Sequence, residues 1–250
     1  MKRKLIILIA LLVSLAALTI SGASLAYFTD TKKTENVYTA GNVYIELSEA
    51  AVTPDAAGNL IKDPAKDRVI GTETGVIHNY GKIYPGQTID KDPLILNTGS
   101  EDAWIAAKVT LTDGAGDIHK LLGEDGDDNI DFSLILDGGI IKTLFEQGSH
   151  FGDWNGIPDT YYTDSFAIAE VSDRINGEYE LYFFVNTKLQ PGESVTVFDT
   201  FRIPAEWNNG DIYEMREFKI TVEAFAVQRF GFSSCYDAMT AAFPDHFHFT

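Results

Sequence analysis

Cysteine is nearly absent from this chain: Cys235 is the single one in 250 residues. One thiol excludes an intramolecular disulfide framework, so packing and hydrogen bonding must hold the fold, and Cys235 itself reads as a small buried residue. Basic residues are scarce too, 19 against 37 acidic. A chain this acidic is repelled by nucleic acid and by anionic membrane surfaces, which argues against nucleic acid as a partner. Histidine is limited to His78, His119, His150, His246 and His248, and none opens a His-Glu-x-x-His zinc motif. A Gly-x-Ser-x-Gly elbow, a phosphate-cradling glycine loop and a convincing nucleophile–base pair are all missing, so no catalytic residue is assigned. Beyond residue 20 no long apolar run occurs, so no second membrane span is expected. What remains is 45% hydrophobic and 12% aromatic, the composition of a folded protein and not of an acidic disordered tail.

The start of the chain is the part richest in information. Lys2-Arg3-Lys4 is a basic n-region, Leu5 to Ile20 is apolar apart from Ser14 and Thr19, and Ser24 and Ala26 stand at the small-residue positions of a signal-peptidase site. The apolar run is short for a bilayer span of about 20 residues. Residues 1–26 are therefore expected to be a signal peptide cut between Ala26 and Tyr27, with membrane contact only before that cut. The remaining 16 basic and 37 acidic residues leave a mature charge of −21. Acid or divalent cations are expected to ease the resulting repulsion between copies.

Period-two alternation then dominates. Residues 37–47 alternate as a half-buried strand, with Val37, Val43, Ile45 and Leu47 on one parity. Residues 50–75 read as a polar loop. Pro85-Gly86 and Pro191-Gly192 mark similar tight turns before two strands, and Asn97-Thr98-Gly99-Ser100 marks another turn. Strands are expected at 94–96, 104–111, 132–136, 181–185, from 195 through Ile203, and 218–227, with 181–185 central because it is apolar on both parities. Asp137-Gly138-Gly139 stops the strand before it. Residues 146–178 read as mostly irregular, and the wider stretch 112–178 as an insertion. Ser233 or Ser234 caps a short helix ending at Ala242, before Pro244. The sum is an all-β protein: a jelly-roll-like antiparallel β-sandwich over residues 48–250, with a short C-terminal helix and loop insertions.

Tyr27-Phe28-Thr29-Asp30-Thr31 followed by Tyr38-Thr39-Ala40-Gly41-Asn42-Val43 resembles the mature start of the TasA/camelysin family. There an aromatic-x-Asp tag follows a signal cut by a dedicated SipW-type peptidase. Tyr84-Pro85-Gly86-Gln87, Asn97-Thr98-Gly99-Ser100 and Ile220 to Gln228 resemble that family's turns and terminal strand. The resemblance covers both ends and the first core hairpins, and leaves 112–178 unmatched. It implies a secreted subunit, of a Gram-positive bacterium, that polymerises with itself into extracellular biofilm-matrix fibres, with accessory or anchoring proteins as further partners. The physical route is donor-strand exchange: residues 27–47 of one copy fill an open sheet edge of the next, with Val37, Val43, Ile45 and Leu47 as the inserted face and Phe28 as an anchor. Pairing of this strand within its own subunit stays open as the alternative.

Two other functions are weighed against this one. Members of the family have been described as metal-dependent peptidases. Here only His246-Phe247-His248 brings imidazoles close in sequence, and that stretch reads as a solvated tail. No cofactor is required by any motif, although calcium is a candidate: Asp125, Asp127, Asn129 and Asp131 alternate as calcium ligands do. Ile130 replaces the glycine an EF-hand needs, and Leu136 its closing glutamate. A monomeric adhesin stabilised by calcium through the 113–131 loop is the third function in play.

Overall fold

The computed structural model describes residues 29–31, 42–71, 82–113, 132, 135–173, 178–205, 207, 218–247 and 249, and these form an all-β sandwich. In chain order the strands are β1 (Thr29–Thr31), β2 (Ile45–Glu49), β3 (Val52–Pro54), β4 (Leu60–Lys62), β5 (Val69–Ile70), β6 (Thr88–Asp90), β7 (Leu94–Asn97), β8 (Ala103–Asp113) and β9 (Leu136–Asp137). Helix α1 (Gly139–Glu146) precedes β10 (His150–Trp154), β11 (Ile157–Tyr162), β12 (Phe166–Asp173), β13 (Glu178–Leu189), β14 (Ser194–Thr196), β15 (Thr200–Arg202) and β16 (Phe218–Gln228). Helix α2 (Cys235–Ala242) follows. The strands make one seven-stranded sheet, β1-β16-β8-β13-β12-β11-β10, one of four, β14-β7-β2-β5, and one of five, β3-β4-β6-β15-β9.

Alternation explains the large sheet. Ile105, Ala107, Val109 and Leu111 of β8, Leu181, Phe183 and Val185 of β13, and Ala224 and Ala226 of β16 face the two smaller sheets and α1 across the main core. Their neighbours in sequence, Trp104, Ala106, Tyr182, Phe184, Phe225 and Val227, face the opposite way into a second core closed by α2 and the C-terminal segment. β13 is thus buried on both faces, as its apolar run of both parities requires. Each large side chain taken fully out of water there contributes roughly 1.5–3 kcal/mol.

Several sequence expectations meet their element. Gln87 N–H donates to Tyr84 O at 3.1 Å and Glu193 N–H to Gln190 O at 3.0 Å, closing both Pro-Gly turns. The Ser234 hydroxyl accepts from Asp237 N–H at 3.1 Å and caps α2.

Others are corrected. The stretch read as a loop, 50–75, contains β3, β4 and β5, strands too short and too exposed to show a period. The expected strand from 195 to 203 breaks into β14 and β15, which belong to different sheets. Val197 and Phe198 are both fully buried at the break, so the chain turns through the core where continuous alternation would carry one of them outward. The stretch expected to be mostly irregular, 146–178, supplies β10, β11 and β12, three of the seven strands of the main sheet. The signal that would have found it is Asn155-Gly156. Both residues have positive φ, 55° and 86°, and Trp154 pairs with Ile157 across them, the geometry of a two-residue hairpin loop.

One cluster ties the smaller sheets together. The Arg68 guanidinium donates to Asp92 Oδ2 at 2.8 Å and, through Nη2, to Ser48 O and Asp92 O at 2.9 and 2.7 Å. Burial works to raise the Asp92 carboxyl, but the Arg68 hydrogen bond, Ala50 N–H and the nearby Lys62 outweigh it and hold it below the ordinary 3.8. A carboxyl lowered by folding stabilises the native state above its unfolded pKa, and that stabilisation is lost as pH falls through the lower folded value. We expect the urea midpoint to drop between pH 5 and pH 3, and the drop to be smaller in Asp92→Asn, which starts from a lower midpoint at pH 7. An equal drop in both proteins would contradict this role for Asp92.

Candidate functional site

An open β-sheet has two edges, and an edge is where another strand can add. In the seven-stranded sheet one edge is β10 and the other is the β16 side, where β1 lies. β1 pairs antiparallel with β16 in the register Thr29–Val227, Asp30–Ala226 and Thr31–Phe225. On its inner side β16 pairs with β8 over its whole length, from Phe218–Asp113 to Gln228–Ala103. Its outer side is matched over three residues only, among the described ones. Among the described residues, β1 therefore matches only part of the length of β16 on this side.

The wall beneath this edge is aromatic. Phe225 is 2% exposed and lies 5.2 Å from the Phe243 ring, 5.1 Å from His246 and 5.0 Å from Phe247. Phe247 in turn reaches Tyr182 and Phe184, each at 5.7 Å. The C-terminal segment was expected to be solvated; Phe247 is instead 2% exposed, because the apolar outer face of β8, β13 and β16 is wider than α2 alone can cover. His246 meets the Phe225 ring there, and His248 lies outside the described residues. Burial pushes the Tyr182 hydroxyl far above its ordinary value, and its hydrogen bond to Glu180 at 2.6 Å adds to the shift.

The expected donor face divides at Asn42. Val43, Ile45 and Leu47 are 5%, 2% and 7% exposed within this subunit's own main core. Ile45 pairs with Asn97 and Leu47 with Ile95 of β7, while Ser48 and Glu49 pair with β5. These three side chains thus belong to the body of the fold, which needs them to cover the inner face of the large sheet. Ala26, Tyr27, Phe28 and Val37 lie outside the described residues, and so do the calcium candidates Asp125, Asp127, Asn129 and Asp131. Among the described residues no cluster of three or more His, Cys, Asp or Glu is arranged to hold a metal ion, and no helix is long and apolar enough to cross a membrane.

Cys235 is fully buried, with Sγ 3.2 Å from Ile105 O. Burial pushes its thiol far above the ordinary range, so no thiolate forms at neutral pH. The sequence did not point to Phe225 and Phe247 as an edge wall. Phe225 has the parity opposite to Ala224 and Ala226, and only the presence of a second core behind the sheet gives that parity a meaning.

Comparison with family models, with curated proteins and with solved structures finds no match to this chain.

Proposed function

We propose that this chain is a secreted structural subunit that polymerises into extracellular matrix fibres. Residues 27–41 of one copy occupy the β16 edge of the next. The observation that carries the reading is the position of β1: a strand of three residues near the start of the chain, outermost in its sheet and paired there with β16 alone among the described strands. A linker of ten residues reaches up to about 33 Å, and exchanging an identical terminal element between copies keeps the same hydrogen bonds while linking subunits. The resemblance of residues 27–43 to the TasA/camelysin start supports the same role. Cleavage after Ala26 by a dedicated signal peptidase would release the strand and act as the switch. Accessory or anchoring proteins would join at the fibre.

Negative-stain electron microscopy of residues 27–250 at moderate salt, with and without calcium, tests this. We expect fibres, formed more readily where cations offset the mature charge of −21. Dispersed particles under every condition would remove the fibre reading and turn attention to zinc content and to calcium-dependent melting.

A further inference from the structure

The register of the β1–β16 ladder, carried past Thr31, sets complementary charges opposite one another. Thr29–Val227, Asp30–Ala226 and Thr31–Phe225 are paired. The same count puts Lys33 opposite Glu223, Glu35 opposite Thr221 and Val37 opposite Lys219. Residues directly across an antiparallel ladder share a face, so Lys33 and Glu35 belong with Phe225, Glu223, Thr221 and Lys219. Glu223 is half-buried and Lys219 exposed. Glu223 is also the cross-strand neighbour of Lys108, whose ammonium contacts Glu180. The described residues thus set two carboxylates around one ammonium, and Lys33 would bring another. Glu35 stands diagonal to Lys219, within reach of a long side chain.

Chain length decides which copy can complete that ladder. Asn97 Nδ2 donates to Leu189 O, Leu189 pairs with Ala103, and Ala103 pairs with Gln228. Ile45, opposite Asn97, therefore stands level with the Gln228 end of β16. Asn42 lies at that end too, its carbonyl accepting from Ser100 N–H at 2.9 Å. Lys219 is about 30 Å from Gln228 along the strand. From Val37 to Asn42 the chain spans at most about 18 Å, fully extended. A subunit's own segment is too short to bring Val37 to its own Lys219.

We propose that strand exchange lengthens the ladder, setting residues 29–37 of one copy against 219–227 of the next, with Lys33 paired to Glu223 and Glu35 beside Lys219. This rests on the exchange proposed above and adds its register, its charge pairing and a reason to favour it. A swap that trades identical contacts gains nothing by itself, whereas the longer ladder adds hydrogen bonds that only a second copy can supply.

Mixing two charge variants of residues 27–250 tests this. Lys33→Glu and Glu223→Lys each set like charges across the ladder, so each alone should need at least about tenfold more protein before fibres appear. In an equal mixture every donor strand finds the opposite charge on the other variant, and fibres should return near the unmutated threshold. The exposed pair Glu35→Lys and Lys219→Glu repeats the test where packing is not disturbed. Single variants that assemble at the unmutated threshold, or a mixture no better than its components, would overturn the charge pairing while fibres of the unmutated chain leave exchange standing. If the double variant Lys33→Glu, Glu223→Lys instead recovers a melting temperature lost by the single ones, and mixing restores nothing, the pair lies within one subunit and exchange falls with it. Absence of fibres from the unmutated chain removes both.

Discussion

Deleting residues 27–41 should abolish fibres and leave a folded monomer. β1 brings three residue pairs to one edge of the seven-stranded sheet, while among the described residues the first side chain of the main core is Val43. At about 0.5–1.5 kcal/mol net for each hydrogen bond, losing β1 costs on the order of 1–3 kcal/mol. For a domain of this size that lowers the melting temperature by a few degrees, about 2–4 °C per kcal/mol. The expected effect on assembly is of another order, because in the proposed exchange this strand is the link from one copy to the next. A deletion extended to Glu49 should behave differently. It removes β2 with Ile45 and Leu47, opens the main core, and should leave no cooperative unfolding transition. Thermal melts by circular dichroism together with electron microscopy separate the two. Fibres from the 42–250 chain, or its failure to fold, would contradict the assignment.

The second large effect is expected at Asn97. Its side chain is fully buried. Nδ2 donates to Glu101 O and to Leu189 O, both at 2.9 Å, and Oδ1 accepts from Gly99 N–H at 2.9 Å. Asn97→Ala takes this partner from all three main-chain groups, but Gly99 N–H keeps its bond to Tyr44 O at 3.1 Å and Glu101 is exposed, so Leu189 O is the buried group that loses it. At about 1–3 kcal/mol for a buried group left unsatisfied and about 0.5–1.5 kcal/mol for each of the other hydrogen bonds, the total comes to about 2–4 kcal/mol. The turn it supports has no room to adjust: a Cβ on Gly99 would lie 2.2 Å from Asn42 O. Urea titration at pH 7 checks this, and a loss below about 1 kcal/mol would show that water or a shifted backbone replaces the amide.

The Asn97-Thr98-Gly99-Ser100 turn was legible in the sequence because asparagine and glycine carry its geometry in their own chemistry. The same holds for the Pro-Gly turns, for the Ser234 cap and for the long strands β8, β13 and β16, whose alternation faces two cores. The short strands β3, β4 and β5 were not legible, since three residues cannot display a period. β10 to β12 were hidden for another reason: Gly152, Pro158 and Asp159 interrupt their alternation, which leaves Asn155-Gly156 as their one local signal. At the candidate site, the sequence identified an N-terminal strand with an apolar face. It did not show which part of that face its own subunit buries. Val43, Ile45 and Leu47 share one parity with Val37, yet they are buried in their own subunit, because parity reports which face is apolar and not which molecule covers it. The β16 edge is set by sheet order, which depends on contacts far apart in sequence.

The most direct test replaces Thr29 and Val227 together by cysteine. These residues are partners across the β1–β16 ladder, where antiparallel Cα atoms lie about 4.5–5.5 Å apart, within the range a disulfide spans. Cys235 is buried and should not compete. Fibres of this double variant, oxidised and run on a denaturing gel without reductant, should give a ladder of covalent multimers that collapses to monomer when reduced. A single monomer band with an internal disulfide would show that β1 stays on its own subunit, and would contradict strand exchange as the link between copies.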